Sequence, residues 1–348
     1  MSRLATIESE ADRALGALLG VAIGDALGMP SQTLPRDRIQ ALYGTIGDFV
    51  APVAAQPISH GLPAASITDD TEQSLLLARH LLERRGAFDE RVWARELIAW
   101  EAETHARGVN DLLGPSTKRA IEALLRGEPL DMVGRFGATN GAAMRIAPVG
   151  VAVGPEPLSA LVDAVAATCR LTHNTAEAIG AAAAVAAVVS AGVDGASFEE
   201  ALPVALAAAR AGERRAPQAP TGSIAERIAL ALDLARHGEG QEATDRIADQ
   251  IGVSVAARES VPVAFAVARL SGGDAWKAGV LSANIGDDTD TIGAIAAGMC
   301  GACRGASSLP RDKVAKVIAV NRLDLDGLTR GLLELRHARA DATPEDAT

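Results

Sequence analysis

The chain has 348 residues, 48% of them hydrophobic and 22% charged, with a mean hydropathy of +0.15, which excludes general disorder and supplies material for a large core. A formal net charge of −11 argues against a nucleic-acid backbone or an anionic membrane surface as the main partner, because both select a basic footprint. Three cysteines, Cys169, Cys300 and Cys303, are too few for a disulfide framework at this length.

The N-terminal stretch carries Glu8, Glu10 and Asp12 and has no cationic start followed by an apolar run, so it does not read as a secretory leader and a cytoplasmic protein is expected. Helical periodicity then begins at 11–27, where Asp25 follows Gly24 inside an apolar run. A carboxylate in such a place is either paired or aimed at a site. The next helix is expected over 72–84, and directly ahead of it stands Thr68-Asp69-Asp70-Thr71. Helices follow at 89–106, holding Trp93 and Trp100, and at 116–125. These tryptophans, with Trp276 further on, are most simply core or groove residues.

Residues 134–145 break the periodicity with Gly134, Gly137 and Gly141, and they carry Arg135, Phe136 and Arg145. The backbone N–H groups of Gly141, Ala142, Ala143 and Met144 are candidates for cradling a diphosphate, since small side chains let phosphate oxygens approach closely. A plain turn is the alternative. Phe136 is a candidate platform for adenine, with a core role as its own alternative. After a helix at 158–170 comes Thr172-His173, then Asn174 as an expected cap with Glu177 as its box partner, ahead of an Ala-rich helix over 176–191.

Helices over 198–211, 223–236, 261–270 and 274–283, with 212–222 as an exposed loop, lead to a second acidic string, Asp287-Asp288-Thr289-Asp290-Thr291. It heads a Gly/Ala-rich helix over 291–303 in which Cys300 and Cys303 spell C-x-x-C without a βαβ context, so no redox role is expected. A helix over 311–321 follows, and 338–348 reads as a frayed tail. No stretch alternates with period two and no solenoid repeat is present, so the expectation is all-α: one multi-helix bundle domain over 1–337.

Both acidic strings sit at helix N-termini, where Asp and Thr ordinarily cap backbone N–H groups. One cap per helix suffices, however, and these strings hold five aspartates and four threonines. If they meet in the fold, like charges repel unless a cation lies between them. Carboxylate and hydroxyl oxygens are hard ligands suited to Mg²⁺ or Mn²⁺. A two-metal site, able to orient a sugar diol and activate water, is the natural inference.

In chain order, Gly24-Asp25-Ala26-Leu27-Gly28, Thr68-Asp69-Asp70-Thr71, Asn140-Gly141-Ala142-Ala143-Met144-Arg145, Thr172-His173 with Glu177, Glu259-Ser260 and Asp288-Thr289-Asp290-Thr291 resemble the ADP-ribosylglycohydrolase family. The ordered set, rather than any one motif, carries the resemblance. It implies an all-α orthogonal bundle with a binuclear Mg²⁺ or Mn²⁺ centre, ligated by Thr68, Asp69 and Asp70 on one side and by Asp288, Asp290 and Thr291 on the other. It implies hydrolysis at the ribose anomeric carbon of ADP-ribosylated substrates, with Asp69 or Asp70 activating water. Asp25, Phe136, Asn140, Gly141, Ala142, Ala143, Met144, Arg145 and His173 are the expected substrate-binding residues, Asp25 from a second layer. The expected partner is an ADP-ribose-like small molecule or an ADP-ribosylated protein, and a monomer is favoured.

Two departures stand out. Asp287 occupies a place where Gly is more usual in that family, and Gln32, after Gly28-Met29-Pro30-Ser31, stands where many relatives have Glu. The second puts the substrate class in question, so hydrolysis of a smaller ribosyl compound or nucleoside is one alternative. A non-catalytic ADP-ribose-binding or structural member is the other.

Overall fold

The computed structural model describes residues 3–107, 114–217 and 222–341. Part of the expected loop, 218–221, and the tail at 342–348 lie outside the described residues. The chain opens with α1 (Arg3–Gly28) and α2 (Arg36–Tyr43), then crosses an irregular stretch to α3 (Asp69–Glu83) and α4 (Glu90–Ala106). Next come α5 (Pro115–Leu125), the single turns α6 (Leu130–Val133) and α7 (Gly141–Met144), α8 (Ala147–Ala152) and α9 (Leu158–Cys169). The second half holds α10 (Ala176–Val193), α11 (Phe198–Glu213), α12 (Ile224–Leu234), α13 (Gly240–Ile251), α14 (Ala257–Leu270) and α15 (Ala275–Ala283). It closes with α16 (Thr289–Arg304), α17 (Arg311–Asn321) and α18 (Asp326–Asp341). Among the described residues the only β pairings are isolated bridges, Leu34 with Asp287 and Thr139 with Ala256, so the chain is all-α.

Two helices organise the bundle. α1 and α16 pack along their length because Gly16, Gly20, Gly24 and Gly28 recur every fourth residue and so share one face. A Cβ on Gly24 would lie 2.0 Å from the Gly293 carbonyl oxygen, and one on Gly16 2.3 Å from that of Gly301. The two backbones therefore touch. This contact carries Asp25, near the end of α1, to the head of α16, where a Cβ on Gly28 would meet the Asp290 backbone at 2.4 Å. α10 is the buried core helix: although long and apolar enough to cross a membrane, it is 94% buried within the bundle.

Three helices of eight residues or more run where the sequence showed no clear period. α2 starts behind Pro35, whose fixed φ suits a helix start. α13 buries Ala243, Thr244, Ile247, Ala248 and Ile251, a narrow face set among charged residues. α18 extends to Asp341, so 338–341 belong to a helix rather than to a frayed tail. Its buried face includes Arg336, whose guanidinium donates to the carbonyls of Gly150, Val151 and Val153 and to Asp194.

Candidate active site

The head of α3 is capped from another helix. Thr68 makes no capping bond with its side chain. Instead the buried Asp25 carboxylate of α1 accepts from the backbone N–H of Thr68 at 2.9 Å and of Thr71 at 3.2 Å. It also accepts from their hydroxyls at 2.7 and 2.5 Å. Glu72 forms no capping box; it accepts from Trp100 Nε1 at 2.7 Å and from both terminal nitrogens of Arg107 at 2.8 and 2.7 Å. Asp69 and Asp70 are thereby relieved of capping the Thr68 and Thr71 N–H groups. Asp25 itself is fully buried, its carboxylate taken up by Thr68 and Thr71, and it holds the string in place.

The second string is arranged alike. Asp288, at the N-cap position of α16, makes no side-chain capping bond. Its carboxylate accepts from Asn140 Nδ2, which also donates to Ser260 Oγ at 2.8 Å. Both amide hydrogens of Asn140 are then in use, so its visible role is to fix Asp288. Ser260 received no role from the sequence, and its signal was its place in the Glu259-Ser260 pair. Thr289 donates to the Gly28 carbonyl at 2.8 Å, tying the string to the end of α1. Asp287 sits at φ 54, a left-handed backbone that favours glycine and that Asp tolerates better than most residues. Its charge raises Asp288 further. Gln32 is buried and turned to the Met29 carbonyl at 3.4 Å.

The two strings meet. The carboxyls of Asp69, Asp70 and Asp290 are all pushed well above the ordinary range, first by burial and then by one another and their acidic neighbours. Asp288 raises Asp69, and Asp290 is the largest acidic influence on Asp70. Burial lifts Asp288 to about 7 and Asp25 to about 6, against the lowering effect of their hydrogen bonds. Asp70 Oδ1 is buried with no hydrogen-bond partner. An unsatisfied oxygen on a carboxyl raised by its acidic neighbours is what a hard cation would relieve. Among the described residues no three acidic, His or Cys side chains alone are gathered in a metal-holding group.

The 134–145 loop differs from its expected form at several residues. In α7 the N–H groups of Ala143 and Met144 donate to the Asn140 carbonyl at 2.8 and 3.0 Å, so they belong to the turn and not to a phosphate cradle. Gly141 and Ala142 complete that buried turn. Gly141 is small because His173 lies against it: a Cβ there would be 3.0 Å from the ring. His173 is wholly buried, with Nδ1 at 2.7 Å from Thr172 Oγ1 and Nε2 at 2.9 Å from Thr139 Oγ1, and so offers no ring nitrogen to a substrate. Arg145 is 1% exposed, donating to Gln73 Oε1 at 2.8 Å and Thr172 Oγ1 at 2.7 Å over the Trp93 ring. It too is interior. Phe136 is 70% exposed, which removes its core alternative. The α10 cap is Thr175, whose hydroxyl accepts from the Ala178 N–H, and not Asn174. Cys300 and Cys303 are buried thiols with no disulfide, and burial pushes Cys303 up to about 12.

An all-helical bundle with a buried carboxylate–hydroxyl cluster at the meeting point of two helix N-termini defines a hydrolase of the glycosidase type once its relatives are considered. The ADP-ribosylglycohydrolase family model matches residues 6–342. An uncharacterized Escherichia coli protein, YegU, is 35% identical over 94% of this chain and 98% of its own length. The ADP-ribosylarginine hydrolase Tri1 of Pseudomonas putida is 31% identical over 90% of this chain and 76% of its own. A solved structure titled ADP-ribosylglycohydrolase-related protein complex superposes with a TM-score of 0.67 at 26% identity, covering 94% of this chain and 99% of the other. The chain belongs to the ADP-ribosylglycohydrolase family.

Proposed function

We propose that the protein hydrolyses the bond between a ribose anomeric carbon and its substituent in ADP-ribosylated substrates, using Asp69, Asp70, Asp288 and Asp290 with Thr68 and Thr291 as the seat of a pair of Mg²⁺ or Mn²⁺ ions. The observation that carries this reading is the convergence of the two strings around an unpartnered Asp70 oxygen. When bound, such cations supply Lewis acidity toward a sugar diol and a water molecule. Asp69 and Asp70 are the candidate bases, since they are carboxylates at the head of α3 free of side-chain capping roles and a positioned carboxylate can take a proton from water. The anionic cluster also stabilises positive charge developing on the sugar. Asn140 and Asp25 keep the two strings in register. Phe136, exposed on the loop leading to Asn140, would offer its ring as the platform for adenine.

The ADP-ribosylarginine hydrolase among the relatives makes ADP-ribosyl-arginine the first substrate to assay. Purified protein is expected to release ADP-ribose from it in Mn²⁺ or Mg²⁺ and to lose at least about 100-fold of that rate in Asp70→Asn or Asp288→Asn, since even partners behind metal ligands cost 10–100-fold. O-linked ADP-ribose and simple nucleosides belong in the same assay. Turnover confined to nucleosides would replace this reading with the smaller-substrate one, and tight ADP-ribose binding without turnover on any substrate would make the chain a binding protein.

A further inference from the structure

Arg145 presents a buried cation for which no carboxylate partner stands at hydrogen-bond distance among the described residues; it is held by Gln73, Thr172 and the face of Trp93. Arginine can only donate, so Gln73 and Thr172 both accept from it. On one arm Gln73 must turn its carbonyl oxygen to Arg145, which leaves its amide nitrogen facing Asp69 Oδ2 at 3.4 Å. On the other, Thr172 Oγ1 accepts from Arg145 and has its one hydrogen left for His173 Nδ1 at 2.7 Å, the acceptor within its reach among the described residues. A neutral imidazole that accepts at Nδ1 carries its proton at Nε2, and this proton goes to Thr139 Oγ1. Burial, and then the charge of Arg145, hold His173 well below the usual histidine range, so the ring is neutral. Gln73, Arg145, Thr172 and His173 are all fully or almost fully buried, so water does not compete along the chain. Both arms end at the site: one on Asp69, the other on Thr139, next to the Asn140 that holds Asp288.

We propose that Arg145 is a positioning residue which, through Gln73 on one side and Thr172 with His173 on the other, sets the orientation of Asp69 and of the Thr139 hydroxyl together. Its Asp69 arm rests on the reading of Asp69 as part of a cation-binding hydrolytic site. The test combines ¹⁵N NMR of the His173 ring, calorimetric titration with Mn²⁺ and thermal unfolding, on the whole protein and on its Gln73→Met and Arg145→Met variants. The expected results are an Nε2–H tautomer in the parent and in Gln73→Met, a mixture of tautomers in Arg145→Met, and Mn²⁺ affinity about ten-fold weaker in Gln73→Met, as for other partners that orient metal ligands. An Nδ1–H tautomer in the parent overturns the relay. So does Gln73→Met that melts earlier yet binds Mn²⁺ like the parent, because that is the signature of packing alone. Should Arg145→Met fail to fold, the parent tautomer and Gln73→Met still decide. Parent protein that binds no Mn²⁺ overturns the Asp69 arm and the cation reading beneath it, while the tautomer still judges the other arm.

Discussion

At Asp288 the cost of the cluster can be read directly. Its carboxyl, lifted by burial to about 7 from an ordinary value of 3.8, holds a proton more tightly folded than unfolded. Its contribution to stability is therefore complete below about 3.8 and is lost as pH rises toward 7. With chelator present, the stability of the parent protein minus that of Asp288→Asn should fall across that window, measured by denaturant unfolding at successive pH values. A flat or rising difference would count against the buried, uncompensated carboxylate. The acidic strings were legible because an excess of Asp and Thr at a helix head has few structural uses. Arg145 and His173 were misread for the converse reason: sequence shows that a polar residue lies in a Gly-rich loop, but not whether neighbouring helices close over it. Gln73 was overlooked although its spacing of four from Asp69 puts both on one face of α3.

Among the helices, the α1–α16 seam does most to build the site. Small residues at every fourth position let two backbones touch, and the touching backbones set Asp25 beside Thr68 and Thr71 and set Gly28 against Asp290. Gly24→Ala should cost about 3 kcal/mol, the upper end of the range for overpacking, because the obstructing atom is backbone and cannot rotate away. Thermal unfolding would check it, and an unchanged melting temperature would show that the seam has slack. The glycine spacing was present in the sequence and went unused, since a helix face is ordinarily sought among large apolar residues. α13 and α18 escaped for a related reason. Their buried faces are narrow and include Thr244 and Arg336, so they do not repeat as an apolar stripe. Arg336 is satisfied by carbonyls, the Ser190 hydroxyl and a carboxylate, all from distant segments, which local periodicity does not report.

For the whole molecule, the all-helical class followed from composition and the lack of alternation, and the family followed from motifs in order. The bundle brings together parts of the chain more than two hundred residues apart, Asp69–Asp70 and Asp288–Asp290, so that burial and mutual repulsion raise their carboxyls, and the proposed pair of cations would balance their charge. Electron paramagnetic resonance during titration of metal-free protein with Mn²⁺ tests that most directly. The expected result is a spin-coupled pair of bound ions, lost or reduced to one in both Asp70→Asn and Asp288→Asn. Parent and variants that bind Mn²⁺ identically, or a parent that binds none, would contradict it.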